Sequence, residues 1–187
     1  WLRLVAVPMS DLTESQKQLY RHDAKERVSM LRARGANLGH VEYAYVAAAK
    51  LDARKCISYL TIELNGAIPK QFRKAIGNRV FGCDDCQLIC PWNKFAKPTD
   101  EQDFKPRHGL DSAELVDLFM WDEETFSRNT QGSPIKRIGY ERWLRNLAIG
   151  LGNGQRCEKV TAALQARLNF SPLVHEHVQW ALKQLNA

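Results

Sequence analysis

Residues 82–93 read G-C-D-D-C-Q-L-I-C-P-W-N. Cys83, Cys86 and Cys90 fall within eight positions, and Pro91 follows the last of them. Thiolates are soft, anionic donors, suited to zinc and to iron–sulfur clusters. Cys83 and Cys86, two residues apart, can bend a tight loop around one metal centre. Cys56 lies well upstream and can join the same site, whereas Cys157 stands apart in an expected helix. Zinc sites usually combine two C-x2-C pairs, and only one is present. A cysteine followed by proline is a mark of iron–sulfur runs. The residues alone therefore leave three occupancies open: an iron–sulfur cluster, zinc, or reduced structural thiols. Asp84 and Asp85 are expected to point outward and to expose backbone N–H groups that tune cluster sulfurs.

A bacterial ferredoxin run reads C-x2-C-x2-C-x3-C-P; here only its tail is present, because Val80 occupies the place of a further thiolate. Five cysteines, an odd number, argue against a closed disulfide framework and fit a reducing cytoplasm. With 187 residues, 44% of them hydrophobic and 26% charged, the chain can bury a core in one domain or two small ones. No apolar stretch approaches the roughly 18–20 residues of a membrane span. The opening WLRLVAVPM has no initiator Met and no small-residue cleavage site, so the expectation is an incomplete beginning and not a signal peptide.

The net charge is +6, and its distribution says more than its size. Residues 132–187 carry eight Lys or Arg against three Glu, a net of +5, behind an acidic segment, residues 94–131, with a net of −4. A basic end suggests a face aimed at a polyanion. Lys136, Arg137, Arg142 and Arg145 fall close together and form the candidate phosphate-binding cluster. Trp143 and Trp180 lie on apolar helix faces and read as core, and His175 and His177 as surface or packing residues.

The elements that must position these groups are mainly helical. Residues 1–50 are the least readable, with a short strand near Leu2 and a capping box of Asp11 and Glu14 before a polar helix. CISYLTIEL suits helix or strand; PKQFRKAI suits a short helix with Pro69 in its first turn and Gly77 at its end. The cysteine run follows as a loop. Asp111 and Glu114 form a capping box for the helix SAELVDLFM, and WDEETFSRN is a further short helix. Ser133-Pro134 and Ser171-Pro172 are cap-plus-proline starts. Trp143, Leu144, Leu147, Ala148 and Leu151 share one helix face, as do Val160, Leu164 and Leu168, and then Val174, Val178, Ala181, Leu182 and Leu185. Short connections predict stacked helical hairpins, a helical-repeat module.

Three stretches, LDARKCISYLTIELNGAIP, IGNRVFGCDDCQLICPWNK and GSPIKRIGYERWLRNLAIGLGN, closely resemble the C-terminal half of epoxyqueuosine reductase, from about Leu51 to Ala187. That enzyme completes queuosine formation in the tRNA anticodon. The resemblance implies a cytoplasmic, monomeric, cobalamin-dependent oxidoreductase with two 4Fe-4S clusters. It implies an α+β chain overall, mainly α: a poorly readable catalytic remnant over 1–50, a ferredoxin-like 4Fe-4S segment over 51–98, and a HEAT-like helical domain with a basic, tRNA-binding face over 99–187. By the same resemblance, Cys56, Cys83 and Cys86 serve one cluster and Cys90 crosses to the other. Residues 1–55 contain no cysteine, so the family's full upstream run is absent there and at most one cluster is expected. No residue matches the family's catalytic acid or its cobalamin-binding segment. The alternative function is an RNA-binding helical module, stabilised by zinc or a cluster, without catalysis.

Overall fold

The computed structural model describes residues 45–47, 50–88, 99–102 and 105–186. The expected strand near Leu2, the Asp11–Glu14 capping box with its helix, and Cys90 lie outside the described residues. The chain divides into two compact units: residues 1–52 with 84–99, and residues 53–83 with 100–187.

In the first unit, strands β1 (Tyr45–Ala47) and β2 (Lys50–Leu51) pair antiparallel, Tyr45 opposite Leu51 and Ala47 opposite Lys50, with an irregularity between. A one-turn helix, α1 (Asp85–Leu88), follows Asp84, whose φ of 52° is left-handed.

The second unit is helical. A 3-10 turn (Ala53–Lys55) leads into helical backbone that widens to a π-helix at Tyr59–Glu63. One side-chain hydrogen bond accompanies the widening. The Thr61 hydroxyl donates to the Ile57 carbonyl at 2.7 Å, the acceptor that an α-helix would assign to the Thr61 backbone N–H. The ladder continues at the wider spacing, with Leu64 N–H donating to the Tyr59 carbonyl at 2.9 Å. Helix α2 (Lys70–Ile76) begins after Pro69 and stops at Gly77, whose φ of 63° suits glycine.

Helices α3 (Leu115–Met120) and α4 (Glu123–Asn129) precede a 3-10 segment (Pro134–Ile138), then α5 (Gly139–Gly152), α6 (Glu158–Ala166) and α7 (Pro172–Leu185). Three side-chain caps start these helices. Asp122 accepts from the Thr125 N–H at 2.8 Å, Ser133 from Ile135 at 3.2 Å and Ser171 from Val174 at 3.2 Å. The Asp111–Glu114 capping box does not form. Residues 107–112 are occupied by turns, with His108 and Gly109 both at positive φ, so α3 starts three residues later and Glu114 makes no side-chain cap.

The main packing sets α5 against α7, while α6 lies against α3 and α7. A Cβ on Gly152 would come within 2.7 Å of the Ala181 Cα, so this close approach of α7 requires glycine. The large core joins Phe119, Phe126, Trp143, Leu147, Leu164 and Val178; a smaller one joins Ile57, Leu60, Ile68, Ile76 and Ile149. Among the described residues, no helix is long and apolar enough to cross a membrane.

Candidate metal centre and basic face

Cys56 closes the 3-10 turn, its N–H donating to the Ala53 carbonyl at 3.1 Å, and its own carbonyl accepts from Leu60 at 2.9 Å. It is half-buried. Cys83 is also half-buried and packs against the smaller apolar core. Cys86 lies on α1 and is exposed. Asp84 is exposed as expected, but Asp85 is not: it is only 7% exposed. Among the described residues, no three metal-ligating side chains are grouped. As a donor set the thiols still fit an iron–sulfur cluster, because four soft thiolates, Cys56, Cys83, Cys86 and Cys90, occur within residues 42–93.

Helix α5 carries a polar clamp into the structure around Cys56 and Cys83. Arg145 is fully buried and directs all five N–H groups to neutral oxygens. Nη1 donates to the Leu64 and Gly66 carbonyls, each at 2.7 Å; Nη2 donates to Leu60 at 3.0 Å and Thr61 at 3.4 Å. Nε donates to Asn146 Oδ1 at 3.0 Å. The Leu60, Thr61 and Leu64 carbonyls lie at the C-terminal end of the π-helix and Gly66 just beyond it, so the cation sits where the helix dipole favours it. Burial, reinforced by the charge of Arg142, lowers the Arg145 pKa to about 10. The accepted N–H also orients Asn146, whose Nδ2 donates to the Thr61 and Val80 carbonyls at 2.8 Å each. Finally, Thr61 Oγ1 accepts the Gly82 N–H at 2.9 Å.

These contacts separate the four basic residues expected on the surface. Lys136 and Arg137 are exposed; Lys136 reaches Gln131 at 2.5 Å and Arg137 pairs with Glu63 at 2.8 Å. Arg142 is half-buried and donates to Ile138, Ile62, Asn65 and Arg137 oxygens. Arg145 is no phosphate contact: its guanidinium is inside and fully occupied. Sequence reading placed it at the surface because arginine usually lies there. The signal for the inside was its place within the apolar run WLRNLAIG. Asn146 lies in the same run, whereas Thr61 had no comparable signal.

A groove of about 420 Å³ beside Arg142 is lined by Glu123, Glu141, Tyr140 and Phe170 among others. Its two carboxylates make it a poor seat for phosphate. Trp143 is core, stacked on Trp121 at 6.0 Å, and Trp180 is half-buried over the Arg73 guanidinium. His175 is half-buried with Nδ1 2.8 Å from the Leu168 carbonyl. His177 is fully buried: Nε2 accepts the Ile68 N–H at 3.1 Å, which leaves Nδ1–H to donate to the Leu173 carbonyl at 2.7 Å. Burial above all, then the nearby Arg73 charge, lowers its pKa to about 4, against the Leu173 hydrogen bond.

The chain thus combines a cysteine spacing of iron–sulfur type with an α-helical unit whose Arg145 and Asn146 hold the backbone at residues 60–66 and 80. Residues 42–93 match the family described as a 4Fe-4S double cluster binding domain. The particular resemblance is to epoxyqueuosine reductases. The chain is 63% identical to the Pseudomonas aeruginosa epoxyqueuosine reductase over 142 residues, which is 75% of this chain and 39% of that protein. With the Escherichia coli epoxyqueuosine reductase it shares 55% identity over 134 residues, 72% of this chain and 35% of the relative. Among solved structures, it is similar to a crystal structure of epoxyqueuosine reductase with a tRNA-Tyr epoxyqueuosine-modified stem loop. There the TM-score is 0.69 at 26% identity, over 77% of this chain and 38% of that one. A Bacillus subtilis epoxyqueuosine reductase structure gives a TM-score of 0.64 at 27% identity, over 76% and 38%. Three quarters of this chain is thus related to a part of epoxyqueuosine reductases, and the chain spans about two-fifths of the length of these relatives.

Proposed function

We propose that this chain is the cluster-bearing and helical portion of a tRNA epoxyqueuosine reductase, working on the wobble position of tRNA in the cytoplasm as a monomer. The observation that carries this reading is the 63% identity over 142 residues with an epoxyqueuosine reductase. Cys56, Cys83 and Cys86 are the proposed ligands of one 4Fe-4S cluster, and Cys90 of a second. A bound cluster supplies single electrons. The protein's part is to present thiolates, to keep Cys56 and Cys83 partly out of water, and to hold their backbones still. Cobalamin, which the resemblance implies for the whole enzyme, is assigned to no residue of this chain, and no step is derived through it.

The helices α3 to α7 are the proposed HEAT-like module that holds the tRNA. Lys136 and Arg137 are its proposed phosphate contacts, because they are exposed and carry the positive end of the chain outward. Arg142 keeps its donors largely on protein oxygens and contributes charge near them.

Anaerobic reconstitution with iron and sulfide tests the cluster. A brown protein holding up to four irons, bleached by dithionite, is expected. A colourless protein with one zinc supports the RNA-binding module without redox chemistry, and no metal at all overturns both. For the tRNA face, Arg137→Glu with Lys136→Glu should weaken anticodon stem-loop binding and reduce its salt slope by about two phosphate contacts. Unchanged affinity and slope would remove these residues from the interface.

A further inference from the structure

Cys56 and Cys83 are far apart in sequence, yet one hydroxyl touches the residues next to both. Thr61 Oγ1 donates to the Ile57 carbonyl at 2.7 Å and accepts the Gly82 N–H at 2.9 Å. Ile57 adjoins Cys56, and Gly82 adjoins Cys83. Asn146 repeats the link from the other side, its amide bridging the Thr61 and Val80 carbonyls at 2.8 Å each. Both residues are buried, at 0% and 1% exposure, so these bonds do not compete with water.

Gly82 supplies the left-handed backbone at this approach. Its φ is +69°, and an added Cβ would stand 3.4 Å from Ser58 Oγ and 3.6 Å from Ile62 Cδ1. The backbone before Cys83 therefore lies directly on the helix that starts at Cys56. Neither thiolate spacing nor helix packing calls for a threonine there; a valine of the same shape would fill the space.

We infer that Thr61 and Asn146 are positioning residues for the cluster thiolates: through Ile57, Val80 and Gly82 they hold the Cys83 backbone in register on the Cys56 helix. The inference rests on the reading of Cys56 and Cys83 as cluster ligands. Groups that orient metal ligands through hydrogen bonds commonly change metal affinity by 10–100-fold when removed.

The test uses the full chain, reconstituted anaerobically with iron and sulfide, as wild type, Thr61→Val and Thr61→Ser. Three quantities are read: the half-life of the cluster absorbance in a ferrous chelator, the EPR g-values after dithionite reduction, and the thermal melting of the metal-free proteins. Thr61→Val should lose its cluster about tenfold faster and show displaced g-values, with Thr61→Ser restoring both, as expected for an outer hydrogen bond to a metal site. A Thr61→Val protein that folds and matches wild type in half-life and g-values overturns the inference. If Thr61→Val does not fold, Gly82→Ala is read in its place, because an alanine at φ +69° strains the same backbone. Wild-type behaviour there overturns the inference equally. Failure of the wild type itself to take up iron and sulfide instead overturns the ligand assignment, and the inference with it.

Discussion

Arg145 and Arg73 are both fully buried, and the regions around them accommodate a positive charge by different means. Arg145 is held by the carbonyls of Leu60, Thr61, Leu64 and Gly66, at the end of a π-helix where backbone dipoles converge. Arg73 donates Nε to the Ile68 carbonyl at 2.7 Å and Nη2 to Glu176 at 2.5 Å, and lies over the Trp180 ring at 5.9 Å. Its Nη1 finds no acceptor among the described residues. The carbonyl cage uses groups that cannot titrate. The Arg73 region depends on a carboxylate and adjoins a buried histidine, His177, so acid should act on it first.

The largest effect should come from breaking the cage. Arg145→Met should lower unfolding free energy by about 3 kcal/mol, because the buried Leu60 carbonyl and the part-buried Leu64 and Gly66 carbonyls lose their donor and Asn146 loses its orienting partner. Urea unfolding followed by far-UV circular dichroism measures this; a loss under about 1 kcal/mol would show that the cage is replaceable by apolar packing.

Acid sharpens the contrast between the two regions. The folded His177 pKa lies at about 4, below the ordinary 6.5. Its neutral form therefore stabilises the fold fully above pH ~6.5, and that contribution is lost as pH falls towards ~4, on the order of 3 kcal/mol in all. Glu176, held low by its Arg73 hydrogen bond, adds loss in the same direction, below the ordinary carboxylate range. Hydrogen exchange should show the Ile68 amide, bonded to His177, losing protection between pH ~6.5 and ~4 before the Gly82 amide, bonded to Thr61. Equal loss at both amides would mean that the two regions open as one.

The smallest effect should follow Glu176→Gln. The carboxylate side chain is 44% exposed, so solvent screens the pair, and a loss of at most about 1 kcal/mol that shrinks further in salt is expected. A larger, salt-independent loss would place Arg73 in the same dependence on its partner that a wholly buried pair has.

Much of the framework was legible. Asp122, Ser133 and Ser171 cap helices where their types suggest, and the apolar faces of α5 and α7 are buried as their spacing requires. The thiolate run was legible too, since C-x2-C and C-P are local patterns. The Asp111–Glu114 box misled because the turns at His108 and Gly109 took its place. The stretch CISYLTIEL, ambiguous between helix and strand, is helical and widens to a π-helix at Tyr59–Glu63, which its pattern does not signal.

What the sequence by itself determined is therefore whatever depends on residues within a turn or two: caps, helix faces, the cysteine spacing and the excess of positive charge. Tertiary structure alone decided which arginines face water. Arg145 meets its carbonyl partners across 79 to 85 positions, and Asn146 joins Thr61 and Val80 across 85 and 66. Whether a buried polar group is satisfied depends on which distant backbone the fold brings to it, and no local pattern carries that information.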